Sequence, residues 1–304
     1  MTKQQEVPKL EVNEGGEVAV KNPYLNEQID DVLYHFGLAR SDTDFPGLFG
    51  DVKYVCTGGS PTRIKMYAEL FSKDSGLPLS ENLSRSDRFV MFKTGPVLWV
   101  NHGMGVPSMS IMLNECIKLL HYAHACDVSF IRIGTSGGID VLPGTVVVSN
   151  ATLNGLLEEA HTQFINGKVV KRPAKLNLEL AKELYNSGVS SNLPVVQGKT
   201  LCADDFYEGQ MRLDGAFCEY DINEKAGFIA RLKDLGVHNI EMEATGFASF
   251  TNRANVKGAI ICVALLNRLN GDQVTLDKAT YIDYELRPFK LVSSFLRGKI
   301  AQMS

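Results

Sequence analysis

Val128-Ser129-Phe130-Ile131-Arg132-Ile133-Gly134-Thr135-Ser136-Gly137-Gly138 is the stretch that decides the class of fold. Its β-branched and aromatic residues predict a buried strand from Val128 to Ile133, closing at Gly134 on a glycine-rich loop. Upstream, Pro107-Ser108 opens a helical pattern to about Ala125, with Ile111, Leu113, Cys116, Leu119 and Leu120 on its apolar side. Further upstream, Val52 to Thr57 reads as a strand ending at Gly58-Gly59, residues 61–73 have helical spacing, and Gly95-Pro96 joins strands Arg88 to Lys93 and Val97 to Val100. Downstream, strands are expected at Thr145 to Val148, Leu193 to Leu201, His238 to Met242 and Lys257 to Leu266. Helices are expected at 176–187, 223–235 (capped by Gly236), from Met242 through Ala254, and near Tyr284 to Lys299.

Such alternation of strand and helix predicts one α/β domain, its sheet covered by helices, over residues 26–304. Residues 1–25 are polar with few large apolar side chains and read as a mobile tail. No linker breaks residues 28–300 and no internal repeat is found. A net charge of −4 gives no basic field for nucleic acid or an anionic membrane, so any anion site must be local. The six cysteines lack C-x-x-C spacing and read as small buried hydrophobes in a reducing compartment. Without a recognisable leader or an apolar run of membrane-spanning length, a cytoplasmic protein is expected.

Within this frame the chemistry-bearing residues fall at strand ends, where sites of α/β sheets lie. Arg132 interrupts a run that should be buried, and a buried guanidinium needs an anionic partner. Two partners suit it: a buried Asp or Glu, or a bound anion held with the Thr135-Ser136 loop. Gly58-Gly59-Ser60-Pro61-Thr62-Arg63 leads from a strand into a helix, a geometry that brings backbone N–H groups to an anion, though it matches no P-loop or dinucleotide fingerprint. In Glu241-Met242-Glu243 the two carboxylates face one way if extended; a ribose diol would supply their donors, or Glu243 simply complements the next helix. His35 sits in an apolar setting, and a packed histidine is the plain reading.

Phe206-Tyr207-Glu208-Gly209-Gln210-Met211-Arg212 carries a second signal. Two residues apart, Gln210 and Arg212 point to one face in extended backbone. A Gln amide with donor and acceptor side by side, next to an Arg that only donates, matches the imide edge of uracil. Phe206 would wall the ring's face; an exposed turn is the alternative.

Together with Val32-Leu33-Tyr34-His35-Phe36, Asn239-Ile240-Glu241-Met242-Glu243 and Leu265-Leu266-Asn267-Arg268-Leu269, these motifs resemble the uridine phosphorylases of the nucleoside phosphorylase superfamily, the animal members more than the bacterial. The agreement runs from about Leu33 to Lys299. It implies a mixed, partly barrel-like sheet and reversible phosphorolysis of uridine to uracil and ribose 1-phosphate. By matching position it implies that Gly59, Arg63, Arg132 and Thr135 bind phosphate, with Arg88 from the neighbouring subunit. Met242 and Glu243 would hold ribose with Glu241 nearby, and the neighbour's copy of His35 would reach the 5′-hydroxyl. Gln210 and Arg212 would read uracil, with Phe206, Ser136 and Gly137 lining the pocket and Arg268 in support.

A homodimer with shared sites follows from that resemblance, as does inorganic phosphate as co-substrate with no other cofactor and no metal. Asn101 before His102-Gly103-Met104-Gly105, and Cys116 after Glu115, depart from the pattern and bear on packing. Lys199 and Asp204 are less usual near the base pocket. A purine nucleoside phosphorylase or nucleosidase is the alternative enzyme, and a non-catalytic nucleoside-binding relative is the alternative outside enzymes.

Overall fold

The structure is a computed structural model, and it describes residues 16–27 and 30–303. Twelve strands occur in it: β1 (Val32–Leu33), β2 (Leu38–Ala39), β3 (Tyr54–Gly58), β4 (Met91–Thr94), β5 (Val97–Asn101), β6 (Ser129–Gly138), β7 (Val146–Leu153), β8 (Ala160–Ile165), β9 (Lys168–Pro173), β10 (Val195–Cys202), β11 (Val237–Glu241) and β12 (Lys257–Asn267). Seven helices accompany them: α1 (Phe45–Phe49), α2 (Pro61–Ser75), α3 (Gly105–Tyr122), α4 (Leu178–Ser190), α5 (Ile222–Asp234), α6 (Ala244–Arg253) and α7 (Lys278–Ala301).

Eight strands form one sheet in the order β11-β10-β7-β12-β6-β3-β5-β4. A further pairing of β11 with β6 joins five of them into a closed, barrel-like ring of mixed direction. That closure corrects the expected end of β6. The strand does not stop at Gly134 but runs through Thr135 and Ser136, which pair with Val263 and Ala264, to Gly137 and Gly138, which pair with Ile240 and Asn239. The two glycines permit the switch of partner. A Cβ at Gly138 would lie 2.7 Å from Val141 Cγ2 and 2.8 Å from the Leu266 carbonyl oxygen.

Helices cover both faces, so β12 is buried nearly throughout and reads as a continuous apolar run. Alternation along β6 and β12 sorts the core. Phe130, Ile260 and Cys262 pack with Phe49, Met109, Leu113 and Phe247 of α1, α3 and α6. Ile131, Ile133, Ala259 and Ile261 pack with Ile64, Phe71, Leu184 and Leu296 of α2, α4 and α7. A third cluster joins Ile229 and Leu232 of α5 to Leu201, Val237 and Ile240. Arg132 has the parity of Phe130 and therefore enters an apolar layer.

Local signals set the ends. Ser60 caps α2 by accepting from Arg63 N at 3.3 Å, with Pro61 in the first turn. Asp221 and Glu224 form a capping box on α5, and Gly236 follows that helix at φ 75°, the left-handed turn expected of it.

Four expectations need correction. The tail expected over residues 1–25 lies outside the described residues up to 15, but from residue 16 the chain is docked: Val18 is buried and Ala19 N donates to Ala254 O at 3.0 Å. Ile111 faces solvent, while Met109, Met112 and Ile117 join the buried face of α3. Cys218 is exposed and Cys126 half-buried, unlike the other four cysteines. Arg88 precedes β4 rather than heading it. Among the described residues no helix is long and apolar enough to cross a membrane.

Candidate active site

Three strand ends, those of β3, β5 and β11, converge around Arg132. The glycines after β3 let the chain pass close: a Cβ on Gly58 would sit 2.7 Å from Ile133 O, and one on Gly59 2.9 Å from Gly103 O. His102 and Gly103 then hydrogen-bond back, donating to Gly58 O at 2.8 Å and Gly59 O at 3.2 Å. Gly105, at φ 78°, opens α3 and donates its N–H to Glu243 Oε1 at 2.5 Å.

Both carboxylates of the Glu241-Met242-Glu243 segment reach the guanidinium. Glu241 Oε2 is 2.6 Å from Arg132 Nη1, and Glu243 Oε2 accepts from Nη2. All three side chains are buried. The partner expected of a buried arginine is therefore a carboxylate pair within the chain. Nη1 also reaches Cys262 Sγ at 3.4 Å, whereas Nε–H is buried and, among the described residues, without a partner. Helix capping falls to Glu241 rather than Glu243. It accepts from Glu243 N at 3.0 Å and Ala244 N at 2.9 Å, and Glu243 has left strand geometry at ψ −14°.

Two carboxylates on one buried cation split in acidity. Burial, opposed by Arg132 and reinforced by Glu243, pushes the Glu241 carboxyl above the ordinary range. Burial also acts on Glu243, but Arg132 and the Gly105 N–H outweigh it and hold that carboxyl low. Burial disfavours the Arg132 cation, yet the two glutamates overcome this and raise its pKa.

His102 lies beside this triad. Burial, then Arg132, lowers its pKa from 6.5 to about 4. The unfolded chain therefore takes up a proton that the fold refuses. Between pH 6.5 and 4 this linkage removes roughly 3 kcal/mol of stability, with no further loss from this group below pH 4. Urea unfolding of wild type and His102→Gln from pH 7 to pH 4 checks the assignment: the variant is expected to lose less stability on acidification.

A second cluster forms where β6 ends. Arg268 is buried against Gly137; a Cβ there would meet its Cγ and Cδ at 3.1 Å. Its Nη2 donates to Gln210 O at 2.7 Å, Nη1 lies 3.4 Å from Gln210 Oε1, and Nε donates to Asp272 Oδ1 at 3.0 Å. Lys225, 2.7 Å from Asp272, and Leu213 N, at 2.9 Å, complete the support. Ser136 Oγ donates to Val263 O at 3.1 Å and accepts from Asn239 Nδ2 at 3.1 Å, itself linked through Thr200 to Ser149. Strand β6 thus spans both clusters, Arg132 near one end and Ser136-Gly137 at the other.

Gln210 and Arg212 do not share a face through extended backbone. Glu208–Gln210 is a 3-10 turn and Met211 is left-handed at φ 52°, so the segment is not extended. Gln210 is buried, and Arg212 turns onto Asp214 through two bonds of 2.8 and 2.6 Å. The Arg212 guanidinium stacks 4.4 Å from the ring centre of Phe206, which is itself exposed.

Several expected residues lie elsewhere in the single chain. Arg63 is ion-paired with Glu285 of α7 at 2.5 Å. His35 Nδ1 is 2.6 Å from Glu115 Oε1, and Glu115 also accepts from the backbone N–H groups of His35 and Phe36. Arg88 is exposed. Phe89, next to it, lies 6.3 Å from the His35 ring, so the two residues share one surface. Thr135 lies on β6 between the clusters, and Met242 is half-buried between the two glutamates. Asp204 is exposed, and Lys199 sits at a register shift in β10.

Asn101 and Cys116 do serve packing. Asn101 Oδ1 accepts from Val90 N at 2.6 Å, and Cys116 is in the core. Glu115, Asp214, Asp272, His102 and Gly105 were not singled out from sequence. Only the buried-cation argument would have found Asp214 and Asp272, by asking which acids answer Arg212 and Arg268.

Residues 53–297 match the model of the phosphorylase superfamily. A uridine and thymidine phosphorylase of Caenorhabditis elegans is 55% identical over 93% of this chain and 96% of its own length. Uridine phosphorylase 2 of Mus musculus is 45% identical over 93% and 90%. Among solved structures, a uridine phosphorylase from Phytophthora capsici superposes with a TM-score of 0.91 at 42% identity, covering 94% of this chain and 99% of that one. The chain belongs to the phosphorylase superfamily, and the relatives it resembles there are uridine phosphorylases.

Proposed function

We propose that the protein catalyses phosphorolysis of uridine, releasing uracil and ribose 1-phosphate. The observation that carries this reading is the run of β6 between two built clusters: the buried Arg132–Glu241–Glu243 triad beside Gly59, and the Gln210–Arg268 cluster at Gly137. Phosphate belongs at the first, held by Gly59, Arg63, Arg132 and Thr135, and uracil at the second, against Phe206, Ser136, Gly137, Gln210, Arg212 and Arg268. Ribose lies between them, bound by Met242 and Glu243.

Phosphate oxygen attacks the anomeric carbon, the C–N bond to uracil breaks, and its electron pair leaves with the base. Positive charge develops on the sugar and negative charge on uracil. Gln210 and Arg212 stabilise the base where its charge appears. The arginines orient the phosphate, whose own charge stabilises the sugar. Arg132 Nε–H, buried and, among the described residues, without a partner, is the donor left for that anion.

Inorganic phosphate is the co-substrate, and the reaction needs no metal or other cofactor. The working unit is a homodimer in the cytoplasm. His35 and Arg88 are joined through Ser86, whose Oγ donates to His35 O and accepts from Arg88 N, and both side chains reach the surface, which supports their completing a neighbour's site. Among the C. elegans relative's activities, thymidine cleavage extends the substrate question to that nucleoside.

Uridine cleavage followed by ultraviolet absorbance, with and without phosphate and with inosine alongside, tests the reading. Phosphate-dependent loss of uridine with inosine untouched is expected. Loss without phosphate would make the protein a hydrolase, inosine cleavage would overturn the base assignment, and no cleavage of either would leave a binding protein.

A further inference from the structure

His102, whose ring lies beside Gly59 and the Arg132 triad, has a bare nitrogen. Its Nδ1 is 2.8 Å from Gly103 O. A carbonyl only accepts, so Nδ1 carries the proton and Nε2 of the neutral ring is an acceptor. Burial and the nearby Arg132 cation keep the ring neutral. Nε2 is buried and, among the described residues, without a hydrogen-bond partner. The ring is fixed as well as buried: Ser108 Oγ donates to His102 O at 2.8 Å, and His102 Cε1 lies 3.9 Å from where a Cβ on Gly59 would stand.

Apart from Thr135, whose hydroxyl can turn to donate or accept, the other groups expected at the anion do not distinguish one tetrahedral oxyanion from another. Arginine side chains and backbone N–H groups donate to any such oxygen. The carboxylates are already engaged, Glu243 by Arg132 and Gly105 N, Glu241 by Arg132 and the start of α6. An unengaged acceptor requires a ligand that brings its own proton. Inorganic phosphate at neutral pH carries at least one P–OH group and arsenate at least one As–OH group, whereas sulfate carries no hydroxyl.

We propose that His102 Nε2 accepts a hydrogen bond from the hydroxyl of bound hydrogen phosphate and thereby selects phosphate over sulfate. The assignment rests on the phosphorolysis reading, which supplies the anion.

Calorimetric titration of the full-length protein with phosphate and with sulfate tests it, beside uridine cleavage driven by phosphate or arsenate. His102→Asn keeps a donor near the Nδ1 position and deletes the acceptor; His102→Gln retains an acceptor near Nε2. Wild type is expected to prefer phosphate. The Asn variant should lose about tenfold in phosphate affinity, with arsenate-driven cleavage weakened in step and sulfate binding unchanged, and the Gln variant should recover most of the loss. Parallel loss of both anions would show a structural role only and overturn the proposal, as would unchanged phosphate binding in the Asn variant. Should that variant not fold, a wild type indifferent between the anions, or a Gln variant that loses the preference, would overturn it equally. Phosphate selectivity that depends on His102 without uridine cleavage would sink the phosphorolysis reading and leave the anion assignment standing. Uridine cleavage with no change in either variant would do the reverse.

Discussion

Arg132→Ala is expected to lower phosphate-dependent kcat/KM for uridine by at least about a thousandfold, the scale of losing a preorganised charged donor at the reacting centre. The same change should destabilise the fold by about 3–5 kcal/mol, because Glu241 and Glu243 remain buried without their shared cation. These effects must be separated, and the two-glutamate arrangement supplies the means. Arg132→Ala combined with Glu241→Gln removes one of the stranded charges and should recover part of the stability, since residues in one ion network are not additive. Turnover should not recover, because the anion's donor is still missing. Wild-type kinetics at limiting phosphate in the single variant would refute the role given to Arg132. Recovery of turnover together with stability in the double variant would reduce Arg132 to a structural cation.

The triad also shows why part of the site was legible in the sequence. Arginine inside a β-branched run demands an anion, and Glu241-Met242-Glu243 at a strand end offers carboxylates, so each half announced itself. Their meeting was not legible, because it depends on the sheet placing β6 beside β11. Strands with both faces covered, such as β12, were plain from their apolar runs, and Gly236 from its position after an amphipathic helix. Hairpin β8–β9 was missed because it is half-solvated, with Phe164 and Val169 exposed, and has no continuous buried face to mark it. Gly134-Thr135-Ser136-Gly137-Gly138 reads locally as a loop; only tertiary pairing makes it the strand that closes the barrel. The segment from Phe206 to Arg212 has the opposite error: it reads as extended, but Glu208–Gln210 is a 3-10 turn and Met211 turns left-handed, so strand alternation does not set the directions of Gln210 and Arg212. His102 gave no composition signal at all. Its importance lies in which nitrogen Gly103 occupies, a fact of geometry.

Gln210→Leu is expected to cut kcat/KM for uridine by about 100-fold or more while leaving phosphate affinity unchanged, since it removes an amide that answers the imide and leaves that edge unpaired in a buried site. Leucine is close in volume, and the backbone bond from Arg268 Nη2 to Gln210 O does not depend on the side chain. The 3.4 Å approach of Arg268 Nη1 to Gln210 Oε1 is long, so its loss alone should shift the thermal midpoint only slightly. Gln210→Glu distinguishes recognition from packing. It keeps the shape and an acceptor for Arg268 but cannot donate when ionised, so it too should fail on uridine while remaining folded. Both variants cleaving uridine at the wild-type rate would remove Gln210 from base recognition. A Leu variant that fails beside a Glu variant that works would assign the residue to holding Arg268 in place, because the charge would strengthen that contact and only the Leu change would break it. Loss in both, with phosphate binding intact, is the pattern a pyrimidine reader requires.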